Sequence, residues 1–207
     1  MALALSAGAA TIGTASLAAV APTLFSPADA APALEGADHR MAPAQLKASD
    51  RLKEALIEEE GVRYTVYHDV AGNPTVGVGH LVTPQDGLRV GDRISPERAL
   101  QLLDADLKVA EFGARQVLGD LPVLQHEFDA LVDLVFNVGA GTLDRENSPR
   151  LTHAIATGDY RAIAAELGYH HAGGVEAGGL IHRSERRANI FLAAAYDDPR
   201  EVGTALA

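Results

Sequence analysis

Apolar positions along the chain follow a helical spacing almost everywhere, broken by one short stretch that alternates. Leu52, Ala55, Leu56 and Ile57 fall on one side of a helical wheel. They predict a short helix from Ser49 to Glu60, capped by Ser49 or Asp50 and stopped by Gly61 in the left-handed conformation. Tyr64 to Tyr67 reads as a strand, residues 69–74 as a polar turn, and Thr75 to His80 as a returning strand. Ser95, Pro96 and Glu97 make a helix start with proline at the first helical position. Leu100, Leu103, Leu107, Ala110, Ala114 and Val117 then step by three and four up to Gly119, predicting a long amphipathic helix. Further helices are expected from Leu124 to Val138, Pro149 to Thr157, Asp159 to His170 and Leu180 to Tyr196. The fold class is therefore α+β: a small mixed lobe, a long helix, and a helical lobe.

Composition changes the picture mainly at the N-terminus. From Met1 to Ser26 there is no charged side chain, and Ala, Gly, Ser and Thr dominate. Pro27, Ala28, Asp29 and Ala30 end this stretch in the small-x-small pattern that signal peptidase accepts. Residues 1–30 are expected to act as a cleaved signal peptide or as a weakly hydrophobic membrane anchor that is later released. Either implies export to the periplasm or beyond, with transient membrane contact through this segment. The plain alternative is a disordered low-complexity tail. Residues 31–48, with Pro32, Pro43 and many alanines, read as a linker. A compact domain is expected over 49–198, with 199–207 as a C-terminal tail.

The formal net charge of −11 disfavours general affinity for nucleic acid, which requires a basic face. The absence of cysteine excludes disulfides and thiolate metal sites. His170 and His171, with His153 and His182, match no zinc spacing and are expected to be surface residues, so neither a metal nor a cofactor is expected.

Candidate chemistry is concentrated between Glu60 and His80. On the wheel Glu60 lies about 40° from Leu56, on the apolar side, where a carboxylate is costly without compensation. It is the last helical residue, at the negative end of the helix dipole, with Glu58 and Glu59 beside it. All three effects favour the protonated carboxyl that a proton donor needs. Wheel geometry does not by itself separate Glu60 from Glu59. Asp69, in a polar turn, should stay ionised, and Thr75 carries a hydroxyl able to hold a water. Two carboxyls in contrasting environments suit glycoside hydrolysis. Taken singly, each has an ordinary explanation: a solvated helix-end charge, an Asx turn, and β-propensity.

The string as a whole resembles the phage-type lysozyme family of the T-even phage endolysins. Glu60, Gly61, Arg63, Tyr67, Asp69, Gly72, Thr75, Gly77, Gly79 and His80 match its pattern without gaps. Phe136 to Gly141, Gly158 to Tyr160, Gly179, Leu180, Arg183 and Arg186 resemble later parts of it. Pro74, Ser184 and Arg187 depart from the common pattern. The resemblance implies a two-lobed lysozyme-like fold that cuts the β-1,4 bond after N-acetylmuramic acid in bacterial peptidoglycan, with inversion. It implies Glu60 as general acid, Asp69 as second carboxylate and Thr75 as the water-positioning hydroxyl. Arg183 would pair with Glu60 in the free enzyme, and His80 with Asp106 between strand and helix. Leu81, Phe136, Asn137 and Ser148 would line the sugar cleft. The enzyme is expected to act as a monomer. Two rival classes are a catalytically silent peptidoglycan-binding domain on the same fold and a metal-dependent wall amidase or peptidase.

Overall fold

The computed structural model describes residues 39–167, 171–172, 175–176 and 178–202. Its elements are α1 (Asp50–Glu60), β1 (Arg63–His68), β2 (Pro74–Gly77), β3 (His80–Leu81), α2 (Pro96–Leu118), α3 (Gln125–Val138), α4 (Pro149–Thr157), α5 (Tyr160–Leu167), β4 (His171–Ala172), β5 (Val175–Glu176) and α6 (Gly178–Ala193). A further helical turn, Pro199–Val202, follows.

The small lobe is an antiparallel sheet in the order β1-β2-β3. The segment 91–94 runs along the outer edge of β1, where Val66 N donates to Asp92 O (2.9 Å) and Ile94 N to Tyr64 O (2.8 Å). Val66, Val76 and Leu102 form its own buried cluster, so α2 enters the small lobe at one end. The single returning strand expected from Thr75 to His80 is two strands. Gly77 (φ +67°) and Gly79 (φ +74°) take backbone angles that L side chains rarely adopt, and the chain turns there.

The second core is helical. Phe128, Ala130, Leu131 and Val132 of α3 are fully buried, surrounded by Leu103, Leu107, Ala114, Ile163 and Ile190. The buried face of α2 includes Ala99, Leu102 and Gly113, while Leu100 and Val117 of the expected stripe are only partly buried. At Gly113 an added Cβ would stand 2.7 Å from Ala140 Cβ and 2.8 Å from Val135 Cγ1. This close approach brings α2 against the end of α3.

Two boundaries move. The linker expected to run to residue 48 is structured over its last residues. Met41 forms a β-bridge with Val123, Leu46 is 4% exposed, and Arg115 donates to Pro43 O (3.2 Å) and Leu46 O (2.6 Å). Arg40 grips Glu127 (2.6 Å) and stacks on Tyr160. Docking satisfies backbone groups that a free linker would leave to water. At the other end, α6 stops at Ala193 rather than Tyr196, and Ala194 has φ +52°. Tyr196 turns back instead: its hydroxyl donates to Asp129 Oδ2 (2.6 Å), and its carbonyl accepts from Arg186 Nε (2.7 Å). Arg200, in the expected tail, bonds Asp198 Oδ1 at 2.9 Å. The expected N-terminal signal or anchor, residues 168–170 and residues 203–207 lie outside the described residues. No helix among the described residues is long and apolar enough to cross a membrane.

Candidate active site

Ser49 caps α1 by accepting from Leu52 N, and Gly61 (φ +67°) turns the chain out of the helix into β1. Glu60 is the residue delivered at that corner. It does not lie on the buried stripe as expected. The stripe ends at Ile57, and the Glu60 side chain is 26% exposed. Nor does like charge go uncompensated, because α6 brings arginines to the end of α1. Arg183 Nη1 donates to Glu60 Oε1, and Arg186 Nη2 to Glu58 Oε2. Glu59 Oε2 lies 3.7 Å from Arg186 and 3.4 Å from Arg200.

The turn between β2 and β3 faces the same carboxyl. A Cβ built on Gly79 would stand 4.0 Å from Glu60 Oε2. Gly77 and Gly79 close the hairpin, and Gly79 leaves backbone rather than side chain beside the acid.

Asp69 sits in the β1–β2 turn, tied to its own loop. Its Oδ1 accepts from Ala71 N (2.9 Å) and Asn73 N (2.8 Å), and its Oδ2 from Asn73 Nδ2 (3.3 Å). These donors, Asn73 N foremost, hold its carboxyl below the usual carboxylate value, so it is ionised at neutral pH. Thr75 is 5% exposed, and its hydroxyl donates to Asn73 O (3.2 Å). With its proton committed there, Oγ1 keeps lone pairs free to accept from a water.

Register decides which residues stand together. Thr75 pairs with Tyr67 on one side and with Leu81 on the other. Directly opposed residues share a face of a sheet, so Tyr67, Thr75 and Leu81 form one row across it. Arg63 stacks over the Tyr67 ring, 4.3 Å from its centroid. Of the predicted cleft residues, Leu81 thus stands beside Thr75. Phe136 and Asn137, at the end of α3, belong to the helical lobe, where Phe136 packs against the core. Ser148 precedes α4, and its hydroxyl donates to Thr142 O (2.9 Å).

His80 begins β3, and Nδ1 lies 2.9 Å from Asp106 Oδ2 and 3.0 Å from Oδ1. Nε2 lies 3.3 Å from Asp86 Oδ2, within ion-pair range but outside hydrogen-bond geometry. The Asp106 hydrogen bond raises the His80 pKa against the opposing effect of burial, and Asp86 adds to it.

Sequence reasoning missed three residues here. One is Asp86. The others are Asp133, 6% exposed, and Arg187, 2% exposed. Arg183 Nη2 donates to Asp133 Oδ1 (3.3 Å), and Arg187 Nε donates to Asp133 Oδ2 (2.6 Å). The Arg187 and Arg183 guanidinia keep Asp133 below the usual carboxylate value although burial opposes this. The available signal was an aspartate four residues after Asp129 in an otherwise apolar run from Phe128 to Val135. A charge in that position must find a buried partner.

Against known proteins, the family model described as Phage lysozyme matches residues 57–187. The chain belongs to the phage lysozyme family. It is 33% identical over 139 residues to the endolysin of Salmonella phage P22, covering 66% of this chain and 92% of that one. It is 30% identical over 150 residues to the SAR-endolysin of Escherichia phage Mu, covering 72% of this chain and 83% of that one. Among solved structures, the endolysin from Escherichia coli O157:H7 phage FAHEc1 superposes with a TM-score of 0.63 at 27% identity, over 77% of this chain and 99% of that one. The match begins at Ile57 and ends at Arg187, so this family member carries Glu60, Asp69, Thr75, Asp133 and Arg183 inside the shared region.

Proposed function

We propose that the chain cleaves the β-1,4 bond between N-acetylmuramic acid and N-acetylglucosamine, with Glu60 as general acid and Asp69 and Thr75 holding the attacking water. Membership of the phage lysozyme family makes it a peptidoglycan-hydrolysing lysozyme rather than a metal-dependent amidase, and the presence of Glu60, Asp69 and Thr75 argues against a silent binding domain on the same fold. The observation that carries the residue assignment is the meeting of α1 with the small β-sheet. Glu60 faces the Gly79 turn, and the same three-stranded sheet carries a pinned, ionised Asp69 and a Thr75 hydroxyl with lone pairs free.

The reaction then runs as follows. Glu60 gives its proton to the glycosidic oxygen as the C1–O bond breaks. Water hydrogen-bonded to Thr75 Oγ1 attacks C1 of the muramic sugar and loses a proton to Asp69, whose negative charge also supports the oxocarbenium-like centre. Arg183, paired with Glu60 in the free enzyme, must release the carboxyl for it to carry a proton. Leu81 extends the Tyr67–Thr75 row and lies under the sugar. Phe136, Asn137 and Ser148 supply the opposite wall from the helical lobe. The enzyme works as a monomer and without a cofactor.

Residues 1–30 direct export, as a cleaved signal or as an anchor released later. Their lack of charged side chains before residue 27 and the small-x-small end at Ala30 support this, and so does the relative named as a SAR-endolysin.

Reducing-end analysis of digested peptidoglycan tests the assignment. Glu60→Gln keeps the shape of the side chain but has no proton to give. It should fold and lose on the order of a hundredfold to ten-thousandfold in rate. Wild-type release of reducing ends by this variant would refute Glu60 as the acid.

A further inference from the structure

We propose that Asp133 is a positioning residue for the reaction, acting on Glu60 through Arg183. The proposal rests on the reading of Glu60 as the acid. The structure contains a chain of ion pairs, Glu60–Arg183–Asp133–Arg187, with Glu59 of α1 close enough to attract both Arg183 and Arg187. One terminal nitrogen of Arg183 serves Glu60 and the other serves Asp133. Arg183 Nε is buried with no hydrogen-bond partner, so its guanidinium is oriented by its bonds to these two carboxylates, with Glu59 adding attraction at longer range. Asp133 in turn is clamped from behind by Arg187, at 2.6 Å and almost fully buried. The far end of the chain is rigid core, and its near end is the carboxyl that must exchange a proton.

A guanidinium held by a single exposed carboxylate would settle on it as a tight pair. Shared with a second, buried carboxylate, the same guanidinium divides its charge. Asp133 thus does two things for Glu60. It keeps Arg183 at the wall of the site when Glu60 is released, and it weakens the field that opposes protonation of Glu60. The other charges around Glu60 are already matched. From α1 itself, Glu58 is taken by Arg186, and Glu59 lies near Arg186 and Arg200. From the sheet, the Gly79 turn presents backbone, Asp69 is turned into its own loop, and His80 is held by Asp106 and Asp86. Arg187 pairs with Asp133, and Glu59 attracts both Arg187 and Arg183.

The readout is the alkaline limb of the pH–rate profile on purified peptidoglycan, since a general acid loses activity as it deprotonates with rising pH. Asp133→Asn leaves Glu60 as the one carboxylate hydrogen-bonded to Arg183, and the limb should move to lower pH by on the order of one unit. This variant also strands Arg187 in the core and can fail to fold. The double variant Asp133→Asn with Arg187→Gln removes both charges of the buried pair and leaves the net charge unchanged. A purely structural role for Asp133 predicts that the folded double variant has the wild-type limb. A positioning role predicts that its limb is displaced to lower pH, with a lower kcat and little change in KM. Circular dichroism establishes which variants are folded. A folded double variant with wild-type limb and wild-type kcat overturns the proposal. Glu60→Gln, run alongside, separates the two readings: if it is active, the assignment of the acid fails. If it is inactive while the double variant behaves as wild type, only the role of Asp133 fails.

Discussion

Asp106→Asn removes the charge that holds His80, and the structure fixes both the size and the pH dependence of the loss. His80 is 8% exposed, and Nδ1 bonds the Asp106 carboxylate at 2.9 Å, while the Asp106 side chain remains 30% exposed. A hydrogen bond to a charged group is worth ~1.5–3 kcal/mol when shielded. Partial exposure of the aspartate puts this one near ~1–2 kcal/mol. The His80 pKa is raised by Asp106 first and by Asp86 in addition. A raised folded pKa contributes stability that is complete below the unfolded value, near 6.5, and is lost as pH rises through the folded value. Asp86 is lowered, with its Thr83 bonds acting most strongly against burial and His80 adding to them. Its contribution is present above its unfolded value, near 3.9, and is lost as pH falls through the folded one. Both are intact in the window from about pH 4 to about pH 6.5. Thermal unfolding of wild type and variant at several pH values is the assay. Near pH 5 the variant should melt lower by roughly 2–8 °C, taking ~2–4 °C per kcal/mol for a chain of this size. The gap should narrow toward pH 8, where a neutral imidazole leaves only an ordinary hydrogen bond. A gap that is flat or widens over that range would refute the reasoning. So would an NMR titration in which the His80 ring has the same pKa in both proteins.

Two further outcomes follow from packing. Ser49→Ala removes the cap of α1 and a 2.6 Å hydrogen bond to the buried Asp129, so denaturant unfolding should show a loss of ~2–4 kcal/mol, more than a cap alone is worth. Gly113→Ala would gain ~1 kcal/mol of helix propensity but puts a methyl 2.7 Å from Ala140 Cβ, so the net effect should be destabilising by ~1–2 kcal/mol, and a rise in Tm would show that α2 and α3 can separate cheaply.

What the sequence conveyed about this protein, and what it withheld, divides along local and non-local lines. The capped helix from Ser49, its stripe of Leu52, Ala55, Leu56 and Ile57, and its stop at Gly61 are properties of neighbouring residues, and all appear in the fold. So does the pairing of His80 with Asp106, although its second carboxylate, Asp86, was not anticipated. The environment of Glu60 was misread, because a helical wheel describes one helix and Glu60 answers to another. Three glutamates in a row look like mutual repulsion until α6 sets Arg183 and Arg186 against them from more than a hundred positions away in sequence. The segment before Ser49 was misread for the same reason: its prolines and alanines show no periodicity, yet Arg115 and Glu111 of α2 and Gln125 of α3 supply partners for its backbone. Arg187 shows the limit most sharply. In the sequence it is a departure from a family pattern in an Arg-rich run. In the fold it is the fixed end of the charge chain that begins at Glu60, and only the crossing of α3 and α6 joins the two.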